Sequence, residues 1–272
     1  MLGKLMKYEF RATAIYFLPI YVVLVLVSGL RYVVSLISQK FSNGFSVFSG
    51  FSLSAIYLLL ALGLAITTFI VIIIRFYKNL LGTEGYLMFT LPVSVEQNIL
   101  AKLIPSVVWF FGSCVLGMLT IAPAMGLRFN DNPFTMFTGI RLGDVPEILL
   151  AVLMVIGSIA GTFLFYYLCM CIGQMFNSHR FLASAGAYIV IQTVLQILGI
   201  AFIWICASSF SSQAFVAWLS NAFAFLDKIP SGSLIYLFLI AANILSYGIA
   251  AALFFIDSAI LRKRLNLVSK DD

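Results

Sequence analysis

The sequence predicts an all-α membrane protein with six transmembrane helices, on three observations. Of its 272 residues, 62% are hydrophobic. Only 10% are charged, against the about 25% that a water-soluble chain carries to cover its surface. Uncharged intervals also recur between short clusters of Lys and Arg, and several reach the roughly 20 helical residues that a bilayer core requires.

The first element is amphipathic. Leu2, Leu5, Met6 and Phe10 share one helical face, and Lys4, Lys7 and Arg11 share another. This pattern predicts an interfacial helix over residues 1–11, lying in the headgroup layer. The apolar stretch behind it is too long for a signal-peptide core and lacks a small-residue cleavage site, so it reads as a retained first span over 12–37. Arg31 then falls near the far interface. The second span is placed at 53–74, because residues 41–52 are rich in Ser, Gly and Phe. The third is placed at 103–127, the fourth at 148–173, the fifth at 181–207 and the sixth at 232–256.

The segment 208–231 is uncharged up to Asp227 but broken by serines, Gln213 and Asn221. Its apolar part, 214–226, is too short to cross and reads as a re-entrant dip, with Trp218 suited to an interface. A seventh span would carry Arg262, Lys263 and Arg264 to the far side. With six spans, eleven of the 16 basic residues share one side, and the positive-inside rule makes that side, with both termini, cytoplasmic. The net charge of +6 is thus a topology and lipid-headgroup feature. It does not indicate a nucleic-acid partner.

Little here can do chemistry. The single His, His179, lies beside Arg180 in a short loop, and the acidic residues fall at span ends or in loops. A serine nucleophile has no base, and a zinc site has no ligand set. Cys114, Cys169, Cys171 and Cys206 read as small apolar packing residues. The chain is not expected to be an enzyme or to hold a cofactor or metal. No G-x-x-x-x-G-K-[ST] phosphate loop occurs.

The connection between spans two and three is different. A plain loop is short and polar, but this one keeps Tyr86, Leu87, Met88, Phe89 and Leu91. Apolar residues at a cytoplasmic face suggest a docking surface for another protein. Pro92 closes one helix, and Ser94-Val95-Glu96-Gln97 is a capping-box pattern that starts the next.

The run Glu84-Gly85-Tyr86-Leu87-Met88-Phe89-Thr90-Leu91-Pro92-Val93-Ser94 resembles the EGYL-x-FTLPVS signature of bacterial ABC-2-type transporter permeases. The opening Leu2 to Phe10 is similar to the start of the same group. The resemblance implies a permease fold over 1–272 and a coupling helix gripped by a separate ATP-hydrolysing subunit, with Glu84, Gly85, Tyr86, Leu87 and Phe89 at that contact. It also implies a second permease, identical or a relative, to complete a dimer in the bacterial plasma membrane. The cargo would be hydrophobic or amphipathic: a peptide, an antibiotic or a lipid. Two other readings stand beside it. One is an ATPase-independent channel or secondary transporter, whose mark would be buried carboxylates in the spans. The other is a non-transporting sensor or assembly protein.

Polar residues within the spans are the candidates for a substrate path. Gln192 and Gln196 share one face of span five, Asn243 lies in span six, and Arg31 stands at the rim of span one. Each has a structural alternative: helix-to-helix hydrogen bonding for the amides and a snorkelling flank for Arg31. Gly157 and Gly161 form a GxxxG suited to close helix packing. Thr67 and Thr68 are expected to bond back to their own helix. Pro19, Pro105 and Pro123 are expected to kink or loosen their spans.

Overall fold

The computed structural model describes residues 2–40, 44–82, 85, 93–125, 144–176, 180–209, 217, 220 and 231–263. Those residues contain no strand. The helices are α1 (Leu2–Lys40), α2 (Gly44–Phe76) with a π-helical turn Tyr77–Leu81 at its end, and α3 (Val95–Ala124). They continue with α4 (Val145–Gly173), α5 (Arg180–Ser209) and α6 (Ser231–Lys263). Among the described residues, six helices are long and apolar enough to cross a membrane. Of the segment 208–231, where the re-entrant dip is expected, only 208, 209, 217, 220 and 231 are described, so the dip lies outside the described residues, as does His179.

Most helices overrun the spans read from hydropathy. In lipid every backbone N–H and C=O must be satisfied within its own helix, so a helix started by an apolar core continues outward until something breaks it. α2 begins at Gly44 rather than at 53, and its serines turn inward: Ser52 Oγ donates to the Ser49 carbonyl at 3.0 Å and Ser54 Oγ to that of Gly50 at 3.1 Å. The N-terminal segment requires a correction. It is not a separate interfacial helix, because α1 runs unbroken from Leu2 to Lys40. No Gly or Pro lies between Lys4 and Leu18, and Pro19 itself is carried inside the helix.

α3 starts where the capping pattern placed it. Ser94 is extended, and its hydroxyl accepts the Gln97 backbone N–H at 3.3 Å. Pro105 and Pro123 lie inside α3, which ends at Ala124, short of the expected 127. Thr68 does bond back, donating to the Leu64 carbonyl at 2.7 Å.

The chain divides into two compact units, Met1–Gly143 and Asp144–Asp272. In the first, α1 packs on α2 and α3, which also meet each other. Its core is Phe17, Leu24, Tyr57, Leu64, Val71 and Ala124, with Trp109 packed against it. Phe17 stacks on the Trp109 ring at 4.8 Å, and the Tyr21 hydroxyl lies 2.8 Å from Ser113 Oγ. α1 and α3 therefore run parallel, with successive positions of one meeting successive positions of the other. In the second unit α4 packs on α6 and α5. Asn243 Nδ2 donates to the Leu150 carbonyl at 3.0 Å, and Tyr247 Oη to that of Leu153 at 2.9 Å. Gly157 faces Ser246 and Tyr247, and Gly161 faces Ala250. The GxxxG thus serves a contact within the chain.

Candidate functional site

At the end of the first unit where the loop 83–92 leaves, three helices converge on one carboxylate. Glu9 of α1 accepts from Lys102 Nζ of α3 at 2.5 Å and from Asn79 Nδ2 of the π turn at 3.2 Å. Glu9 and Lys102 are both buried. An ion pair taken out of water holds its geometry because either charge alone would be far costlier than the pair. Nearby, Arg75 Nη2 donates to the Ala12 carbonyl at 2.9 Å, and its guanidinium lies 5.7 Å from the Tyr16 ring centroid. α1 is therefore tied to α2, the π turn and α3.

The roots of the loop are anchored. Leu80 and Leu81 are buried, and Gly82 N–H closes the π turn on the Tyr77 carbonyl at 2.9 Å. Gly85, buried, donates its N–H to the Gly82 carbonyl at 2.9 Å. On the far root Asn98 is 2% exposed, and neither polar atom of its amide has a hydrogen-bond partner. Of the residues expected at the coupling contact, Gly85 is described; Glu84, Tyr86, Leu87 and Phe89 lie outside the described residues.

The four substrate-path candidates divide between the two units. Arg31 belongs to the first unit and bonds across it: its Nε donates to Ser54 Oγ at 3.1 Å, and Ser54 Oγ in turn lies 2.9 Å from the Ala124 carbonyl. Asn243 holds α6 to α4. Gln192 lines a groove of about 600 Å³ between α4, α5 and α6, while Gln196 is exposed one turn further on.

Two buried carboxylates correct the expectation that the spans contain none. Glu9 is one. Asp257, inside α6, is the other: it is 0% exposed, and neither carboxylate oxygen has a hydrogen-bond partner. It lies within electrostatic reach of Cys169 and Cys171 of α4. Sequence reading passed over Asp257 because the sixth span was ended at 256, one residue short. Glu9 had a usable signal, since it is the only acidic residue before Glu84 and shares a helical face with Leu2 and Leu5.

Among the described residues no group of three or more His, Cys, Asp or Glu could hold a metal. The chain matches no protein-family model, no curated protein and no solved structure.

Proposed function

We propose that this chain is the permease subunit of an ATP-driven ABC-2-type transporter in a bacterial plasma membrane, both termini cytoplasmic, exporting a hydrophobic or amphipathic substrate. Nucleotide hydrolysis belongs to a separate ATPase subunit, and a second permease completes the pathway. The observation that carries this reading is the loop run Glu84 to Ser94 together with the way its two roots are joined. Asn79 precedes the loop and Lys102 follows it, and both bond to Glu9. A force applied to the loop is therefore delivered to three helices as one body. That is the mechanical requirement of a coupling element, because packed helices move as rigid pieces.

The test is co-purification. Co-expressed with its ATPase, identified from a neighbouring reading frame, the tagged chain is expected to retain that subunit. Tyr86→Asp with Phe89→Asp should abolish retention, since two aromatic anchors at about 2 kcal/mol each amount to a loss of about a thousandfold in affinity. The variant should still melt like the parent chain. Undiminished retention would refute the docking role.

Asp257 favours a second reading, an ATPase-independent transporter coupled to an ion, because an ionisable residue inside a membrane helix marks an ion path more often than a packing site. On that reading, transport in ATPase-free vesicles is driven by an ion gradient and lost in Asp257→Asn. Transport that needs ATP and survives Asp257→Asn excludes it.

A further inference from the structure

The groove of the second unit has a chemical character that identifies a ligand class. It is open along one side, has a volume of about 600 Å³, and is lined from α4, α5 and α6. That volume lies within the roughly 300–1,000 Å³ of small-molecule sites. At one part stand three neighbouring aromatic rings, with Phe165 and Tyr166 each about 6 Å from Tyr188 (5.9 and 5.6 Å between centroids). Elsewhere the lining is aliphatic, and no acidic or basic side chain belongs to it.

Its polar groups are arranged for hydrogen bonding to a ligand. Gln192 stands twelve residues into α5, about 18 Å from the Arg180 end at 1.5 Å per residue. An amide that far along a membrane-spanning helix is half-buried here, and in hydrocarbon it is costly unless it finds a hydrogen-bond partner. Yet among the described residues the Gln192 amide makes no hydrogen bond. Ser158 Oγ has given its proton to the Met154 carbonyl at 2.8 Å and Thr162 Oγ1 to that of Ser158 at 2.9 Å. Ser246 Oγ, also in the lining, lies 3.5 Å from Ser158 Oγ and donates to it, so Thr162 Oγ1 is the hydroxyl with acceptor capacity left for a ligand. The lining asks for a hydroxyl donor and a partner for an amide, beside an apolar body, and offers nothing to neutralise a charge.

We infer that this groove binds an uncharged, hydroxyl-bearing amphipath with one apolar chain, of the monoacylglycerol type, with its polar group at Gln192. The inference stands apart from the transporter reading, since such a ligand binds whether or not an ATPase drives the chain.

The test uses the full chain in phosphatidylcholine nanodiscs and two photoreactive probes with the same diazirine-bearing chain. One is a monoacylglycerol, the other a lysophosphatidic acid. The neutral probe is expected to mark peptides containing Ser158 to Tyr166 and Gln192, and unlabelled monoacylglycerol should compete. Gln192→Leu should lower labelling by about threefold or more, the worth of one or two hydrogen bonds. Ala242→Trp, which fills the groove, should abolish it. Leu198→Trp, on the exposed side of α5, should not change it.

Equal labelling by the phosphate-headed probe would overturn the charge argument. Labelling spread evenly over all six helices would make the occupant ordinary bilayer lipid. Absent labelling, with a disulfide forming between copies in Leu195→Cys/Leu245→Cys, would assign the groove to a second copy of this chain. Any of these three results ends the proposal, and Gln192→Leu keeps it testable should Ala242→Trp fail to fold.

Discussion

Glu9→Ala is expected to destabilise the first unit by about 3–5 kcal/mol, the usual cost of leaving one member of a buried ion pair without the other. Lys102 is buried on α3, and the carboxylate that accepts from it lies 2.5 Å away. Removing that carboxylate leaves an ammonium in a low-dielectric setting, and Asn79 loses its acceptor as well. Unfolding by SDS or heat in detergent, followed by the fluorescence of Trp109 with Trp204 and Trp218 replaced by Phe, reports the change, because Trp109 stacks on Phe17 in the core. The double variant Glu9→Met/Lys102→Met should recover most of the loss. What remains is about 1 kcal/mol for the Asn79 bond. A single-variant cost below about 1 kcal/mol is the value of a surface pair, and would mean that water reaches Glu9.

The pair has a second consequence under the proposed function. Glu9 joins the helix before the loop to the helix after it, so the double variant separates stability from mechanics. It restores the fold with apolar packing and removes the directional bonds that set how α1, the π turn and α3 move together. Asn98 stands one turn before Lys102 on α3, buried and with both amide atoms unpartnered. A buried amide left unpaired is costly, and its place at the root of the loop makes it a natural contact for whatever the loop does when it is loaded.

The helices were legible in the sequence because lipid imposes one rule on every residue of a span. Polar backbone must be bonded locally and side chains must be apolar, and both requirements are written in hydropathy. The start of α3 was legible for a similarly local reason: Ser94 and Gln97 are three residues apart, and the cap needs nothing else. Glu9 and Lys102 were not. They are 93 residues apart, and each alone looks like a flank, Lys102 as one more basic residue at a span end. Helix ends were misjudged mostly in one direction, the end of α3 at Ala124 being the exception. Hydropathy marks where the hydrocarbon ends, whereas α1 and α6 run on to Lys40 and Lys263 because nothing breaks them. Asp257 was lost to that error. The groove, too, could not be read in advance, since Gln192 and Gln196 share a helical face and only the packing of α4 and α6 places one in it and leaves the other out.

Gly173→Val should open the second unit, and Gly161→Ala should not. A Cβ at Gly173 would stand 2.0 Å from Ser184 Oγ, 2.6 Å from Ser184 N and 2.7 Å from its Cα. A hydroxyl can rotate away, but the backbone of α5 cannot, so the end of α4 and the start of α5 must separate. At Gly161 the added carbon would meet the Ala250 methyl at 3.9 Å, an ordinary contact, and the helix would gain about 0.5–1 kcal/mol from the lost glycine. Cys169 and Cys171 are buried, the latter two residues from the clash, and they report the opening directly. In a background with Cys114 and Cys206 replaced by Ser, a maleimide should react with the two buried thiols about 10–100-fold faster in Gly173→Val, the equivalent of about 1.4–2.8 kcal/mol. Gly173→Ala should show a smaller effect of the same sign, and Gly161→Ala the parent rate or a slower one. The contrast separates steric overlap from a general intolerance of glycine replacement. Equal rates in all three variants would mean that α4 and α5 do not approach this closely at Gly173.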